Sequence, residues 1–77
     1  MVKFRIKLGD VETANKFVSE ITPLASEFDI AYGKGAIDAK SIIGIMGLDM
    51  SVPLELNCVI ADGEQEKVEK ILAKYKA

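Results

Sequence analysis

Few side chains of this sequence can perform chemistry, and the residue types that are missing exclude whole classes of site. The 77 residues include no histidine and one cysteine, Cys58. Without an imidazole the chain has no histidine base, no Ser-His or Cys-His pair, no histidine metal ligand and no phosphohistidine. A lone cysteine cannot form an internal disulfide, and without histidine it does not suffice for a structural zinc site. We therefore expect no metal, no cofactor and no enzymatic activity.

Two oxygen-bearing residues remain as candidates, and each has a structural alternative. Asp10 precedes an amphipathic segment, so its carboxylate could form an acyl phosphate or cap a helix by accepting a main-chain N–H. No metal cage or lysine partner accompanies Asp10 to support the first role. Ser41 also precedes an apolar segment, where it could cap a helix, and a phosphate there would be favoured by the helix dipole. We expect Cys58 to be a small core residue rather than a reactive thiol.

Composition and charge are typical of one small globular domain. Apolar residues make up 49% of the chain, charged residues 29%, and the formal net charge is −2 at pH 7. A slightly negative chain lacks the excess of cations that binds nucleic acid or anionic lipid. No apolar run approaches the roughly 20 residues of a membrane helix. Residues 1–5 alternate and contain no apolar signal core. With a lone cysteine typical of a reducing compartment, we expect a single cytoplasmic domain over residues 1–77, without nucleic-acid binding or membrane insertion.

The first half of the chain predicts a strand, a helix and a hairpin. Residues 2–8 alternate apolar and cationic side chains, which indicates a half-buried strand with these residues inward: Val2, Phe4, Ile6 and Leu8. A helix capped by Asp10 or Thr13 follows, and Pro23 should end it near Thr22. Its core-facing stripe comprises Val11, Ala14, Phe17, Val18 and Ile21. Strands over 28–32 and 36–39 then flank a turn at 33–35.

The second half predicts a short helix, a strand and a last helix. Ser41 should open a short helix within 42–48, because Gly44 and Gly47 each cost about 1 kcal/mol in a helix. Residues 54–60 alternate as a fourth strand after Pro53. Residues 62–65 begin a last helix, with an Asp-x-x-Gln capping pattern if Asp62 is its N-cap. The buried stripe of that helix comprises Val68, Ile71, Leu72 and Tyr75.

The element order is therefore βαββαβα. Each strand has one apolar face and the helices are amphipathic, so a four-stranded antiparallel sheet covered by helices on one face satisfies both. This is an α+β fold. Its uncovered sheet face should present Lys3, Arg5, Lys7, Glu55 and Asn57 to solvent. A small-ligand domain of the split βαβ type shares much of this order and stays an alternative, although few convergent polar groups are visible to form a cleft.

The helix after Ser41 has more apolar residues than one short helix can bury. If Ile45 and Leu48 face the core and Ile42 is partly covered, Ile43 and Met46 must face outward. An exposed apolar patch beside a flexible methionine is typical of a protein interface. The alternative is a helix buried under the long loop that follows it.

Three segments resemble the HPr family, the phosphocarrier proteins of bacterial sugar phosphotransferase systems. Ala39–Leu48, which begins Ala-Lys-Ser-Ile, resembles the regulatory-serine segment of the family. Ala61–Ile71 resembles the start of the family's last helix, and Phe17–Glu20 resembles part of the family's first helix. The resemblance runs from Phe17 to Tyr75. It implies the open-faced β-sandwich of that family, kinase phosphorylation of Ser41, and a partner-binding patch at Ile42, Ile43 and Met46.

The active loop departs from the family pattern. The resemblance places the phospho-accepting histidine slot on Asp10, the arginine slot on Glu12 and the proline slot on Thr13, in a loop about three residues short. In the family, a neutral imidazole receives a phosphoryl group at a helix N-terminus, where free amides favour the added charge. Asp10 and Glu12 are anions that repel an incoming phosphate. We therefore expect no relayed phosphoryl transfer from this loop.

These observations lead to a main expectation and a rival. The main expectation is an HPr-like domain without the histidine, acting as a regulatory or protein-binding module on proteins of the phosphotransferase system or of catabolite regulation. The fixed Asp10 carboxylate could also imitate the phosphorylated state, although one monoanion copies a phosphoryl group poorly. The rival is a working phosphocarrier that uses a non-histidine acceptor, for which Asp10 is the candidate.

Overall fold

The computed structural model describes all 77 residues, and its elements follow the predicted order. Four strands and three helices are present: β1 (Val2–Ile6), α1 (Val11–Ile21), β2 (Glu27–Tyr32), β3 (Gly35–Asp38), α2 (Ile42–Met46), β4 (Leu54–Val59) and α3 (Gln65–Ala73). None of the three helices has the length and apolar character needed to span a bilayer.

The four strands form one antiparallel sheet in the order β1-β4-β2-β3. Alternation along each strand sends one set of side chains toward the helices. In the central strands β4 and β2 that set is fully buried: Leu56, Cys58, Phe28 and Ile30. On the other face Lys3, Arg5 and Glu55 are exposed as predicted, while Asn57 is half-buried. The predicted α+β architecture, an open-faced sandwich, is confirmed.

Helix α1 supplies the centre of the core. Ala14, Phe17 and Ile21 are completely buried along one face of the helix. The ring of Phe17 meets that of Tyr75 edge to face, with centroids 5.1 Å apart and an interplanar angle of 76°. Burying a side chain such as Phe17 stabilises the fold by about 1.5–3 kcal/mol. Glu20, one position before the end of the helix, accepts hydrogen bonds from the Lys74 ammonium and the Tyr75 hydroxyl, so α1 is fastened to the chain after α3.

The prediction that the outermost residues of these stripes are buried is wrong, because they lie beyond the helix layer. Val2 starts the edge strand and is 43% exposed, and Val11 begins α1 and is 41% exposed. Strand β1 also ends at Ile6 rather than Leu8, because Gly9 turns the chain with a φ of +83°. Leu8 is nevertheless buried, as its alternation predicts.

The predicted cap of the last helix is also wrong. The N-cap of α3 is Glu64, and no side chain caps it. Asp62 instead precedes Gly63, whose φ of +82° makes a turn that separates Asp62 from the helix. The Glu64 carboxylate reaches across the chain and accepts the N–H groups of Ala25 and Ser26, at 2.9 and 2.8 Å, and the Ser26 hydroxyl at 2.6 Å.

Ser26 completes this connection from inside the protein. Its side chain is 1% exposed, and its hydroxyl oxygen accepts the Ala61 N–H at 2.8 Å while the hydroxyl donates to Glu64. The loop before β2 is therefore tied to the turn before α3. No local pattern around Ser26 indicates this role, because both partners lie more than thirty residues away.

Cys58 has the core role that the sequence predicts. It is completely buried on the helix-facing side of β4. Burial raises the pKa of the thiol to about 11, because the thiolate would lose its hydration in the core. The thiol is therefore protonated at neutral pH and unsuited to nucleophilic chemistry.

Candidate functional site

The loop before α1 is shaped by Gly9 and anchored to a distant segment. The left-handed conformation of Gly9 favours glycine, since a Cβ would strain the backbone. The Gly9 N–H donates to the Met50 carbonyl at 2.7 Å, and the Asp10 N–H donates to Leu8 at 3.0 Å. The loop therefore presents Asp10 at the start of the helix in a fixed geometry.

Asp10 is the N-cap of α1. It has the extended backbone of a cap, and its Oδ1 accepts the N–H of Thr13 at 2.8 Å. This decides between the two caps that the sequence left open, in favour of Asp10 over Thr13. The hydrogen bonds from the Thr13 main chain and then its side chain lower the pKa of the exposed Asp10 carboxyl, so Asp10 is an anion at neutral pH.

Glu12 adds a second carboxylate to the first turn of α1. Its side chain is exposed, and it forms no ion pair, since the ion pairs of the structure join Glu66 to Lys70 and Glu20 to Lys74. Two anions at the N-terminus of a helix stabilise the helix by opposing its dipole. They also make this end of α1 repulsive to a further anion.

Ser41 caps α2 as predicted. Its Oγ accepts the N–H of Gly44 at 3.3 Å, and its own N–H donates to the Asp38 carbonyl at 3.0 Å. The side chain is half-buried. Lys40, beside it, donates its ammonium to the Leu24 carbonyl at 2.6 Å and lies 5.9 Å from the centre of the Phe28 ring.

Helix α2 exposes the two side chains that its sequence predicts to face outward. Ile43 is 83% exposed and Met46 is 55% exposed, while Ile45 and Leu48 are buried. We call Ile43 and Met46 the α2 patch. Ile42 is half-buried and packs against the core, so only its edge can join this surface. The alternative in which a loop buries the whole helix is wrong.

Gly44 allows α2 to lie close to the sheet. A Cβ built on Gly44 would come within 2.6 Å of the Ile37 Cγ2 in β3, which is far inside van der Waals contact. From the sequence, Gly44 is expected only to weaken the helix. Its lack of a side chain is what permits the close approach, and thereby fixes the orientation of the α2 patch.

The carboxylates of the chain do not converge into a metal site. No group of three or more aspartate, glutamate or cysteine side chains is placed to hold an ion. Asp10 therefore belongs to no such cluster, and neither ion pair of the structure joins a lysine to it. The site therefore combines two features. The N-terminus of α1 is anionic and capped by its own Asp10, and α2 presents an apolar surface. The two helices are in contact.

Comparisons with known proteins agree with this architecture. The family model for the PTS HPr component phosphorylation site matches residues 10–75. The structure of HPr-C-His from Thermoanaerobacter tengcongensis superposes with a TM-score of 0.73 at 23% identity, covering 96% of this chain and 89% of that one. A phosphocarrier protein HPr from Bacillus anthracis str. Ames gives a TM-score of 0.73 at 24% identity, covering 97% of this chain and 96% of that one.

At these identities the two structures establish the fold alone, and no curated protein matches the sequence. The family match is independent of those superpositions and spans most of the chain, from the N-cap of α1 to the aromatic residue that packs on Phe17. The chain therefore belongs to the PTS HPr family.

Proposed function

We propose that this protein is a cytoplasmic HPr-type domain that binds proteins of the phosphotransferase system and cannot carry a phosphoryl group on histidine. Its role is regulatory or protein-binding rather than enzymatic. The observation that carries the proposal is the start of α1, where the resemblance locates the phospho-accepting group. The chain has no histidine, and Asp10 occupies this position with its carboxylate already accepting a hydrogen bond from the Thr13 N–H.

The chemistry of this helix end supports the proposal. A phosphoryl group bound there would need the free N–H groups of the first turn. Asp10 already occupies the N–H of Thr13. The Asp10 and Glu12 carboxylates add two negative charges that no cation pairs with. An imidazole is neutral before transfer and can approach a phosphate donor, whereas this end of α1 repels one.

The α2 patch supplies the binding surface in this proposal. Ile43 and Met46 lie three residues apart on α2 and are both exposed, so they form an apolar surface of the kind that protein partners contact. Methionine adapts its shape to different apolar surfaces. We propose the general phosphotransferase enzyme and catabolite-regulation proteins as the class of partner, with Ile42 contributing at the margin of the patch.

Phosphotransfer from phosphoenolpyruvate tests the chemical half of the proposal. The protein is incubated with phosphoenolpyruvate and the general phosphotransferase enzyme, beside the Bacillus anthracis phosphocarrier as positive control. We expect no phosphoryl group on this chain. The triple variant Asp10→His, Glu12→Arg, Thr13→Pro restores the family pattern and should gain label that the wild type lacks.

A labelled wild-type protein would contradict the proposal. Label that hydroxylamine removes would identify an acyl phosphate and favour the rival, a phosphocarrier with Asp10 as acceptor. The Asp10→Asn variant locates it, because an amide cannot form that intermediate.

Binding to the general phosphotransferase enzyme tests the second half. Ile43→Glu and Met46→Glu place charges on the α2 patch, and Val59→Glu is the matched control, since Val59 is an exposed apolar residue of β4. We expect the first two variants to lose the main-chain amide shifts that the enzyme induces in α2, and the control to keep them. Equal binding by all three proteins would refute the assignment of the patch.

Ser41 belongs to the same proposal as a regulatory phosphorylation site. A phosphate on Ser41 would sit at the start of α2 and replace the weak hydrogen bond from Gly44 by charge-assisted ones. Incubation with the serine kinase of the family and ATP, followed by mass spectrometry, should show one added phosphate, absent from Ser41→Ala. A wild-type protein that stays unmodified would exclude this regulation.

A further inference from the structure

Helix α2 is tied to both ends of α1. Before α1, the Gly9 N–H donates to the Met50 carbonyl, which follows α2, at 2.7 Å. Before α2, the Lys40 ammonium donates to the Leu24 carbonyl, which follows α1, at 2.6 Å. Since each helix begins where the other ends, the two run antiparallel, and their Cα atoms approach within 8 Å. The start of α1 therefore lies beside the end of α2 that carries Met46.

Three exposed carboxylates lie at this end of the α2 patch. Asp10 and Glu12 belong to the start of α1. Asp49 follows Met46 by three residues, which keeps the Cα atoms of the two within about 11 Å of each other. Hydrogen bonds from the Ser51 hydroxyl and then from its main chain lower the pKa of Asp49, so Asp49 is an anion at neutral pH, as Asp10 is.

None of the neighbouring cations forms an ion pair with these carboxylates. Lys16 is spaced one turn after Glu12, and its charge acts on Glu20, one turn further along α1. Lys40 lies at the far end of α2, where its ammonium is bound to a main-chain carbonyl. Two more lysines lie at the edges of the sheet: Lys7 and Lys34. The Met46 end of the α2 patch is therefore anionic.

The α2 patch has the spacing that a facing helix can match. Ile43 and Met46 lie three residues apart, so their Cβ atoms are about 5–6 Å from each other on the helix surface. Apolar residues three or four apart on a second helix have the same separation. The three carboxylates do not converge to hold a metal ion, so they suit several cations spread along such a helix.

We propose that the α2 patch binds an amphipathic helix of a partner protein whose apolar stripe is flanked by lysine or arginine. The apolar stripe packs on Ile43 and Met46, and the cations face Asp10, Glu12 and Asp49. This inference rests on the proposed function, because it specifies what a partner presents to the same patch. Charges at the edge of an interface select the partner, since like charges brought together cost affinity. An acidic partner helix is therefore rejected.

Peptides of defined composition test the proposal without any partner protein. The probe is an acetylated, amidated, helix-forming peptide with a leucine stripe, lysine on both sides of the stripe and glutamine elsewhere, titrated into the ¹⁵N-labelled full chain. We expect saturable shifts at Glu12, Ile43 and Met46, with Val59 on the sheet unaffected. The same peptide with glutamate in place of lysine should bind about tenfold more weakly or not at all. A version with serine in place of leucine should not bind.

Variants that remove only charge locate the contacts. Asp10→Asn keeps a side chain that caps a helix as well as aspartate does, and Glu12→Gln changes an exposed side chain, so the fold should survive. Each should weaken binding of the lysine peptide by about threefold, and the double variant by about tenfold, since single exposed ion pairs contribute little. Glu27→Gln is the matched control, because Glu27 is an exposed carboxylate of β2. It should bind as the wild type does.

Four results would overturn the proposal: no saturable binding of the lysine peptide, equal binding of the glutamate peptide, undiminished binding by the double variant, or equal weakening by Glu27→Gln. The first three would deny recognition of a basic helix at this site, and the last would show an effect of net charge only. Each would leave the proposed function in place if the general phosphotransferase enzyme still shifts α2. Conversely, expected peptide binding with no response to the enzyme would remove that class of partner and support the recognition of a basic helix.

Discussion

Replacing Gly44 by alanine tests how closely α2 is held against the sheet. Two effects oppose each other at this position. Alanine favours the helix over glycine by about 1 kcal/mol. Its Cβ, however, would lie 2.6 Å from the Ile37 Cγ2, where carbon atoms normally keep about 3.5–4.0 Å apart. One of the two elements must move by about 1 Å.

The steric cost of the clash with Ile37 should exceed the gain in helix propensity. Ile37 is β-branched and its Cγ2 lies directly on Cβ, so the side chain cannot swing away without leaving its rotamer. It also packs against the core, which resists displacement. Overpacking of this kind typically costs about 1–3 kcal/mol. We therefore expect Gly44→Ala to destabilise the protein by about 1 kcal/mol net, which is roughly 4–8 °C in Tm for a domain of this size.

Urea unfolding followed by circular dichroism gives the measurement, and a double-mutant cycle gives the cause. Ile37→Ala removes the clashing methyl, so in that background Gly44→Ala should become neutral or stabilising, a reversal of sign. Gly47→Ala is the matched control, because the nearest atom to its Cβ, the Gly44 carbonyl oxygen, lies at an ordinary 3.5 Å. A stabilising Gly44→Ala in the wild type, or the same effect in both backgrounds, would refute the reasoning.

Three further predictions concern the core connections. Ser26→Ala should destabilise the protein by about 1–3 kcal/mol, because it leaves the part-buried Ala61 N–H without a partner. Ser19→Ala, at an exposed position, should change the stability little in the same urea assay. Hydrogen bonds from Ser26 and the main chain lower the pKa of Glu64 below its usual 4.5. The stabilisation that the Glu64 carboxylate gives is therefore complete above about pH 4.5 and is lost as the pH falls through the lower pKa of the folded state. In an acid titration, Glu64→Gln should lose less stability than the wild type over this range. Burial and the Glu20 carboxylate raise the pKa of Tyr75, so stability should decline as pH rises above about 10, and Tyr75→Phe should remove that decline. An alkaline unfolding curve that is identical for the wild type and Tyr75→Phe would contradict the last of these.

The periodicity of the sequence was sufficient for most of the fold. Strict alternation placed Ile6 and Cys58 inward, and the helical spacing of Phe17 and Ile21 placed both in the core. These signals are local, because a residue's side of a strand or helix depends only on its position in the repeat. The same logic predicted which side chains of α2 face outward.

The features that the sequence did not reveal depend on distant partners. Glu64 turns to Ser26 rather than to its own helix, and Gly44 matters because Ile37 lies above it. No spacing rule connects residues so far apart in sequence. The pairing of Lys76 with Ile6 was missed for the same reason.

The start of α1 shows why stability and phosphoryl transfer compete in this scaffold. A helix leaves its first N–H groups unsatisfied, and they can bond either to a capping side chain or to a bound anion. Here the Asp10 carboxylate takes the Thr13 N–H, so one of these first N–H groups is satisfied without a ligand. A histidine at this position can accept a phosphoryl group, but it is a poorer cap. The variant that restores His, Arg and Pro should therefore gain label from phosphoenolpyruvate while its Tm falls below that of the wild type. A restored variant that is both labelled and more stable would show that the cap and the acceptor do not compete.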